Sequence, residues 1–181
     1  MAKKKKISDI RVVDNFLPDE EFHTIRDMFT HSDTTWNIVP GISANDSTAA
    51  ILNPLNNYMF AHAVYGNYKA MSNGFEKVHD ILIPKLEELG QEYTCIYRVK
   101  VNLYPRTEDL QIHPWHTDYN RGPMRGALLM LNTCDGYTGF EDGTNIDTIE
   151  NRMVFFDSTE KHHSTNCTNQ QYRLTMNINY V

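Results

Sequence analysis

The sequence predicts an α+β protein in which two helices precede many short β-strands, arranged as a sandwich or jelly roll. The helices are predicted because apolar residues recur at helical spacing over residues 18–30 and 74–89. The strands are predicted because apolar and polar residues alternate over residues 93–104 and 172–180, with glycines punctuating the short segments between them. Many short strands late in a chain are typical of sandwiches and jelly rolls.

Length and composition favour one globular domain. The 181 residues fit a single domain, residues 1–181, that is long enough to bury a sizeable core. Hydrophobic residues make up 40% and charged residues 22%, and no apolar run approaches the roughly 20 residues of a membrane span. The net charge of -6 argues against a general nucleic-acid-binding surface, since phosphate contact needs a basic face. We therefore expect neither a membrane nor a nucleic acid as partner, and the oligomeric state stays open.

Cysteine usage and the N-terminus indicate the compartment. Cys95, Cys134 and Cys167 are an odd set without C-x-x-C spacing, which favours free thiols in a reducing compartment over a disulfide framework. The lysine-rich start is followed by no apolar signal core, so we expect a cytoplasmic protein. Residues 1–8 are predicted to form a flexible, basic, solvated tail, with a nuclear address or a nucleic-acid arm as the alternative.

The first predicted elements belong to the scaffold. Residues 10–17 predict a short strand that runs into a turn. A helix over about 18–30 should begin at Pro18 and the acidic residues after it, because proline and acids suit a first helical turn. Its buried stripe is predicted to consist of Phe22, Ile25 and Phe29.

The middle of the chain predicts a loop-rich segment and a second helix. Residues 32–57 are rich in small polar residues, Gly and Pro, so they should form loops and short strands that contribute to a substrate mouth or a lid. The helix over about 74–89 is interrupted by Pro84, where it should kink or begin anew. Gly90 is a good C-terminal stop.

Two long strands are each predicted to have an apolar face and a second face on the other side of the strand. One face of residues 93–104 should pack against the helices, and the other should look toward a pocket. The polar face of residues 172–180 either meets solvent or, in a closed barrel, lines a polar cavity. Residues 126–132 are a continuous apolar run that predicts a buried strand. In residues 93–104, the apolar face comprises Cys95, Tyr97, Val99, Val101 and Leu103, and the other face comprises Ile96, Arg98, Lys100, Asn102 and Tyr104. In residues 172–180, the apolar face comprises Tyr172, Leu174, Met176, Ile178 and Tyr180, and the other face comprises Arg173, Thr175, Asn177 and Asn179.

The stretch around His116 carries the clearest chemical signal. Side chains two apart in a strand project from the same face, so His116 and Asp118 offer an imidazole and a carboxylate side by side. A third ligand from His162 or His163 would complete two nitrogens and one oxygen on one side of a metal ion. That facial arrangement leaves the opposite coordination positions open and suits non-haem Fe(II).

Arg173 adds a cation late in the chain. A guanidinium can grip a carboxylate in a bidentate fork, and so it could hold a dicarboxylate cofactor by its far end. An isolated H-x-D tripeptide or an isolated late arginine arises often by chance. The specific signal is the joint order of His116, Asp118, His162 or His163, and Arg173.

In this order of residues the chain resembles the 2-oxoglutarate/Fe(II)-dependent dioxygenases and, within them, the prolyl-4-hydroxylase-like branch. The resemblance runs from about residue 95 to the C-terminus. Residues 101–106 are similar to that branch's strand with a cofactor-pocket tyrosine, and residues 151–158 to the strand that leads into the distal histidine. Residues 138–143 are similar to its Gly-rich strand, although Thr138-Gly139 replaces the usual Gly-Gly pair.

Two positions leave alternatives open. The count from Phe156 to the distal ligand favours His162, with His163 as the alternative, and the other histidine would be a neighbour of the ligands or a rim residue. Met130 stands where some members carry a tyrosine that touches the cofactor. Because a methionine donates no hydrogen bond, the second partner of the cofactor's carboxylate stays open.

The resemblance implies a double-stranded β-helix, the cupin-like jelly roll, with the N-terminal helices packed on its major sheet and residues 95–181 as the barrel core. It implies a hydroxylase that oxidatively decarboxylates 2-oxoglutarate to succinate and CO2 while hydroxylating a C–H bond. The implied cofactors are Fe(II), 2-oxoglutarate as co-substrate and O2, and the resemblance also admits ascorbate. The implied catalytic residues are His116, Asp118, His162 and Arg173; the metal ligands are His116, Asp118 and His162, with His163 as the alternative; the cofactor-binding residues are Arg173 and Tyr104.

The substrate follows least directly from the sequence, because likeness of fold transfers chemistry better than substrate. A prolyl residue of a peptide or protein is the substrate implied by the resemblance, and a free amino acid or another small molecule is the competing class. A non-catalytic, cupin-like metal-binding or sensing module is the alternative to an enzyme.

Overall fold

A computed structural model describes residues 10–42, 56–91, 94–120 and 124–181. The predicted tail at residues 1–8 and half of the predicted mouth segment, residues 43–55, lie outside this description. The helices are α1 (Asp19–Thr30) and α2 (Phe75–Glu88), and the strands are β1 (Arg11–Val13), β2 (Asn37–Pro40), β3 (Tyr58–Gly66), β4 (Lys69–Ala70), β5 (Ile96–Pro105), β6 (Arg125–Met130), β7 (Tyr137–Phe140), β8 (Asn145–Asp147), β9 (Met153–Asp157), β10 (His162–Ser164) and β11 (Tyr172–Tyr180).

The strands form a large and a small antiparallel sheet. The large sheet runs β1-β9-β6-β11-β5-β3-β2, with β4 paired to β3, and the small sheet runs β10-β7-β8. Sequence neighbours are therefore separated in the sheet, as β11 lies between β5 and β6. The protein is mostly β-structure with helices at its N-terminal side, which confirms the coarse α+β prediction.

The main core lies between the helices and one face of the large sheet. Phe22, Ile25 and Phe29 of α1 pack there, as the helical spacing predicts. The opposite face of the large sheet meets the small sheet, where a second cluster joins Leu128 and Phe156 to Phe140 of β7. The space between the two sheets is thus lined by the faces that do not pack on the helices.

The two helices confirm most of the predicted boundaries. Asp19, Glu20 and Glu21 occupy the first turn of α1. Pro84 lies inside α2, and the prediction that the helix begins anew there is wrong, since α2 is continuous to Glu88. Its exposed ring leaves the packing of Ile83 and Leu86 intact. Gly90 ends the helix with φ +70 and donates its N–H to Glu87 O at 2.9 Å.

Strand β5 alternates as predicted except at its start. Val99 and Val101 are buried in the helical core, whereas Lys100 lines the cavity between the sheets. Asn179 pairs with Arg98 while Tyr180 pairs with Ile96, so β5 carries one extra residue at this point. This β-bulge reverses the faces: Ile96 packs on the core and Tyr97 is 37% exposed, and the predicted assignment of this pair is wrong.

Strand β11 decides between the two predicted environments of its polar face. Arg173, Thr175, Asn177 and Asn179 are all buried, with exposed fractions of 0, 1, 7 and 0%. The apolar residues of the same strand pack in the helical core. The polar face therefore lines the interior between the sheets and not the solvent.

The remaining coarse predictions also have structural counterparts. The three cysteines are free thiols, and Cys134 and Cys167 are buried. Strand β2 is a short strand in the predicted loop-rich segment. Among the described residues, no helix combines the length and apolar character that crossing a lipid bilayer requires.

Candidate active site

Backbone pairing brings His116, Asp118 and His162 together. His116 and His162 form an isolated antiparallel bridge in which each backbone N–H donates to the other's carbonyl at 2.9 Å. The Asp118 N–H donates to Ser158 O at 3.1 Å, which extends the same pairing. One side-chain ligand atom from each of the three residues lies within 4.8 Å of the others, so the three can share one cation.

The backbone also orients both imidazoles. Nδ1 of His162 lies 2.9 Å from Glu160 O, and Nδ1 of His116 lies 3.4 Å from Pro114 O. A carbonyl accepts from a protonated Nδ1, so this tautomer places the lone pair of each ring on Nε2. Burial, followed by the His162 ring, lowers the pKa of His116 to about 4. His116 is therefore neutral at pH 7, as a metal ligand must be.

Asp118 is held by three donors from the large sheet. Its Oδ2 accepts from Asn177 at 3.1 Å and Asn179 at 3.0 Å, and its Oδ1 accepts from Arg98 at 3.0 Å. Burial opposes ionisation, but the His162 imidazole, Arg98 and the two amides outweigh it and lower the pKa of Asp118 to about 2. The carboxylate is ionised and fixed in orientation before any cation arrives.

His163 lies on the opposite face of β10. It pairs with Gly139 and packs edge-on against Trp115, with ring centroids 4.4 Å apart. A Cβ at Gly139 would lie 2.2 Å from His163 Nε2, so this position requires glycine. His163 is thus a buried packing residue, and His162 is the histidine that joins His116 and Asp118.

Arg173 is a buried cation with neutral partners. Its Nε donates to Thr148 Oγ1 at 2.7 Å, and its terminal nitrogens donate to Thr165 O at 3.0 Å and Thr138 Oγ1 at 2.7 Å. Burial lowers the pKa of Arg173. No carboxylate pairs with it within the described ranges of the chain. A buried guanidinium without a counter-ion is a strong site for a carboxylate.

Tyr104 and Thr138 lie beside Arg173. The guanidinium sits 5.5 Å from the centroid of the Tyr104 ring, and the Tyr104 hydroxyl hydrogen-bonds Ser164. The same ring stacks on His113 at 5.3 Å. Thr138, which replaces the expected glycine, supplies a hydroxyl to Arg173, while Met130 is buried in the apolar cluster between the sheets. Tyr104 and Thr138 therefore line the cavity beside the guanidinium.

One cavity of about 400 Å³ connects these groups. His116, Asp118 and His162 line it together with Arg173. Its volume falls within the range of small-molecule sites. The remaining wall combines Gly41 with apolar and polar side chains: Ile42, Met59, Leu128 and Phe156, and Arg98, Lys100, Asn102, Tyr104, Thr117, Thr138, Ser164, Thr175 and Asn177.

Sequence reasoning placed Arg98, Asn177 and Asn179 on pocket-facing or polar faces without giving them a role. Their role appears only when β5 and β11 are paired, because Arg98 and Asn179 then stand opposite each other beneath Asp118. Thr148, which lies outside any patterned strand, carried no sequence signal at all.

The residues fit an iron ion and 2-oxoglutarate. Two imidazoles and one ionised carboxylate form the 2-His-1-carboxylate donor set. Arg173 offers the charge complement for a distal carboxylate in the same cavity. In addition, the buried Oδ1 atoms of Asn102 and Asn177 have no hydrogen-bond partner among the described residues. Because neither Fe(II) nor 2-oxoglutarate carries a hydrogen-bond donor, these two acceptors are left for a further bound group.

Several solved structures share the fold. A 2OG-Fe(II) oxygenase family oxidoreductase from Burkholderia pseudomallei is 10% identical, with 94% of this chain and 84% of that chain covered and a TM-score of 0.70. A prolyl hydroxylase from Trichoplax adhaerens, in complex with a hypoxia inducible factor peptide fragment, is 17% identical, with coverage of 94% and 82% and a TM-score of 0.64. HygX from Streptomyces hygroscopicus, with nickel, 2-oxoglutarate and hygromycin B bound, is 11% identical, with coverage of 96% and 82% and a TM-score of 0.60.

Neither a protein-family model nor a curated protein matches the sequence. At this level of identity, the structural likeness establishes the fold that prolyl hydroxylases and other 2OG-Fe(II) oxygenases share.

Proposed function

We propose that the chain is a 2-oxoglutarate- and O2-dependent Fe(II) hydroxylase. One observation carries the proposal: the cavity that contains the cluster of His116, Asp118 and His162 also contains the buried, carboxylate-free cation of Arg173. A cupin-like barrel that only binds a metal has no need for a second, anion-binding group in the same cavity. We also propose that the two sheets are the two halves of a double-stranded β-helix. Residues 1–181 would form a single domain, with residues 95–181 as its barrel core.

Each group has a role in this proposal. His116, Asp118 and His162 hold Fe(II), and Arg173, with Thr138 and Tyr104 beside it, holds the distal carboxylate of 2-oxoglutarate. When bound, Fe(II) and 2-oxoglutarate supply the oxidising chemistry, in which O2 converts 2-oxoglutarate to succinate and CO2 and hydroxylates a substrate C–H bond.

The chain itself positions and shields this chemistry. The amides of Asn177 and Asn179 hold the Asp118 carboxylate toward the cavity. The ring of Phe156 packs against His162, with centroids 5.0 Å apart, and Leu128 lines the same wall. This apolar wall excludes water from one side of the metal ligands.

Two substrate classes are consistent with the fold. The Trichoplax structure contains a peptide fragment and the HygX structure contains hygromycin B, so the shared fold accommodates a polypeptide and a small molecule. A prolyl residue of a peptide or protein is the first proposal by resemblance, and an amino acid or another small molecule is the second. The charge of the cavity bears on this choice.

The test combines spectroscopy with product analysis. Anaerobic addition of Fe(II) and 2-oxoglutarate should produce a weak visible charge-transfer band. Admission of O2, with ascorbate present to keep iron reduced, should then give succinate slowly even without substrate. Asp118→Ala should lose the band and the succinate together, because the carboxylate is the only anionic ligand of the cluster.

The two histidines provide a matched pair of variants. His162→Ala should behave as Asp118→Ala does, and His163→Gln should retain the band because His163 lies on the other face of β10. Metal binding without a band or succinate would instead identify the cupin-like binding or sensing module. Full activity of Asp118→Ala would refute the proposed ligands.

A further inference from the structure

Lys100 is the cavity's unexplained cation. It lies on the inner face of β5, is half-buried, and lines the cavity opposite Asn177 of β11. Within the described ranges it has neither a hydrogen bond nor an ion pair, because the nearby Asp118 oxygens already accept from Arg98 and the two asparagines. Partial removal of an ammonium group from water without a partner is unfavourable, so this position favours a bound anion.

The charges around the cavity also favour a bound anion. The lining side chains include three cations, Arg98, Lys100 and Arg173, against the single carboxylate of Asp118, which leaves a surplus of two positive charges among these four groups. This inference rests on the proposed function: when Fe(II) and 2-oxoglutarate are both bound, their charges cancel, so the surplus of positive charge in the cavity is unchanged. Arg98 is matched by Asp118, and Arg173 would be matched by the co-substrate, which leaves Lys100.

Position along the strand separates Lys100 from the co-substrate's distal carboxylate. Arg173 pairs with Tyr104, four residues beyond Lys100 on β5. Four residues of a strand separate the backbone positions by roughly 13 Å, and the Arg173 guanidinium is held at its own end of the strand by Thr148, Thr165 and Thr138. The anion at Lys100 is therefore a different group, carried either by the substrate or by the metal-proximal end of 2-oxoglutarate.

The neighbouring asparagine favours the substrate as the source. Asn102 follows Lys100 on the same inner face, and its buried Oδ1 lacks a hydrogen-bond partner among the described residues. A carboxylate accepts hydrogen bonds but cannot supply a donor to this oxygen. A ligand that satisfies both residues carries an anion and an N–H or O–H donor, which 2-oxoglutarate does not have.

We propose that Lys100 is a specificity-determining residue that binds a carboxylate of the substrate beside the metal, with Asn102 accepting from an adjacent donor group. Burial, reinforced by Arg98, lowers the pKa of Lys100 to about 8, and a bound carboxylate would offset both effects. The substrate is thus an acidic molecule, or a peptide with an acidic side chain, and not a neutral chain segment alone.

The test compares acids with their neutral counterparts in the iron-loaded enzyme. The probes are free L-amino acids and their carboxamides, and capped Gly-Asp-Gly and Gly-Glu-Gly peptides with their Asn and Gln counterparts. The readout is stimulation of succinate formation above the substrate-free rate. At least one acid should stimulate tenfold more than its amide, since losing one partner of a buried charge pair costs at least about tenfold. The two arms show whether a free acid or a peptide side chain supplies the carboxylate.

Three variants assign the preference to Lys100. Lys100→Met should lower the stimulation by the acid at least tenfold, and Lys100→Arg should restore part of it. Lys77→Met, at an exposed position of α2, is the matched control and should behave as wild type. Thermal unfolding of each variant checks that the fold is retained.

The outcomes separate this inference from the proposed function. If the wild type gives no charge-transfer band with Fe(II) and 2-oxoglutarate, the hydroxylase itself is refuted. If the band forms but no acid stimulates succinate formation more than its amide does, only the role of Lys100 is refuted. The same holds if Lys100→Met keeps the wild-type preference for the acid over the amide. If Lys100→Met weakens 2-oxoglutarate binding, followed by the band, while the acid preference persists, the anion belongs to the co-substrate and the substrate assignment is wrong.

Discussion

The orientation of Asp118 depends on side chains that never touch a metal ion. Asn179 donates to Asp118 Oδ2 at 3.0 Å and to Ser158 Oγ at 3.2 Å, and it also accepts from Arg98 at 3.0 Å. It is fully buried, so its position is set by the pairing of β11 with β5. Partners of this kind fix the geometry of a ligand and its affinity for the metal.

Asn179→Ala should therefore weaken metal binding while leaving all three ligands in place. We expect the affinity for Fe(II) to fall roughly 10- to 100-fold, as is typical when a partner of a metal ligand is removed. Anaerobic titration, followed by the charge-transfer band, measures the change. Asn37→Ala, at an exposed position of β2, is the control and should titrate as wild type. Unchanged affinity in Asn179→Ala would show that Arg98 and Asn177 suffice.

The sequence alone could not predict everywhere which face of a strand each side chain occupies. The alternation in β5 and β11 was sufficient to predict which side chains face the helices, because the period of two is strict within a regular strand. The β-bulge at Tyr97 breaks that period, and it depends on the register with Asn179 and Tyr180, which are far away in the sequence. The distal histidine posed a similar problem, because the count from Phe156 favoured His162 but left His163 open, and the pairing of His162 with His116 separates the two.

Helix α2 offers a test of local strain in an otherwise regular element. Pro84 lies inside the helix, where it cannot donate the usual backbone hydrogen bond, and its ring is exposed. Pro84→Ala should restore that bond and stabilise the protein by about 1 kcal/mol, after allowance for the greater entropy of the unfolded chain. Urea unfolding measures the change, and Glu87→Ala serves as a control for loss of an exposed side chain in the same turn. A destabilised Pro84→Ala would mean that the proline ring packs favourably.

The fold as a whole buries polar groups between two sheets, and this makes its stability sensitive to acid. His113 is buried, lies 2.8 Å from Ser164 Oγ through Nδ1, and stacks on Tyr104. Burial, followed by the charge of Arg173, lowers the pKa of His113 to about 3. The unfolded chain binds this proton near pH 6.5, so the contribution of His113 to stability is full above that pH and is lost as the pH falls toward 3.

The pKa of His113 therefore differs between the folded and the unfolded protein. Each pH unit between these two pKa values contributes about 1.4 kcal/mol, so at pH 5 His113 should destabilise the metal-free protein by about 2 kcal/mol relative to neutral pH. His113→Asn should reduce the loss of stability between pH 7.5 and 5.0 by about 2 kcal/mol, whatever its effect at pH 7.5, while the contribution of His116, whose pKa is also lowered, should remain. Urea unfolding at pH 7.5 and 5.0 in the presence of a chelator gives the difference for each protein. His23→Asn, at an exposed position of α1, should keep the wild-type difference, because solvent surrounds that side chain in both states. If His113→Asn also keeps it, the acid sensitivity arises from other buried groups such as His116, and the interior around Tyr104 and Arg173 admits a proton more readily than its burial indicates.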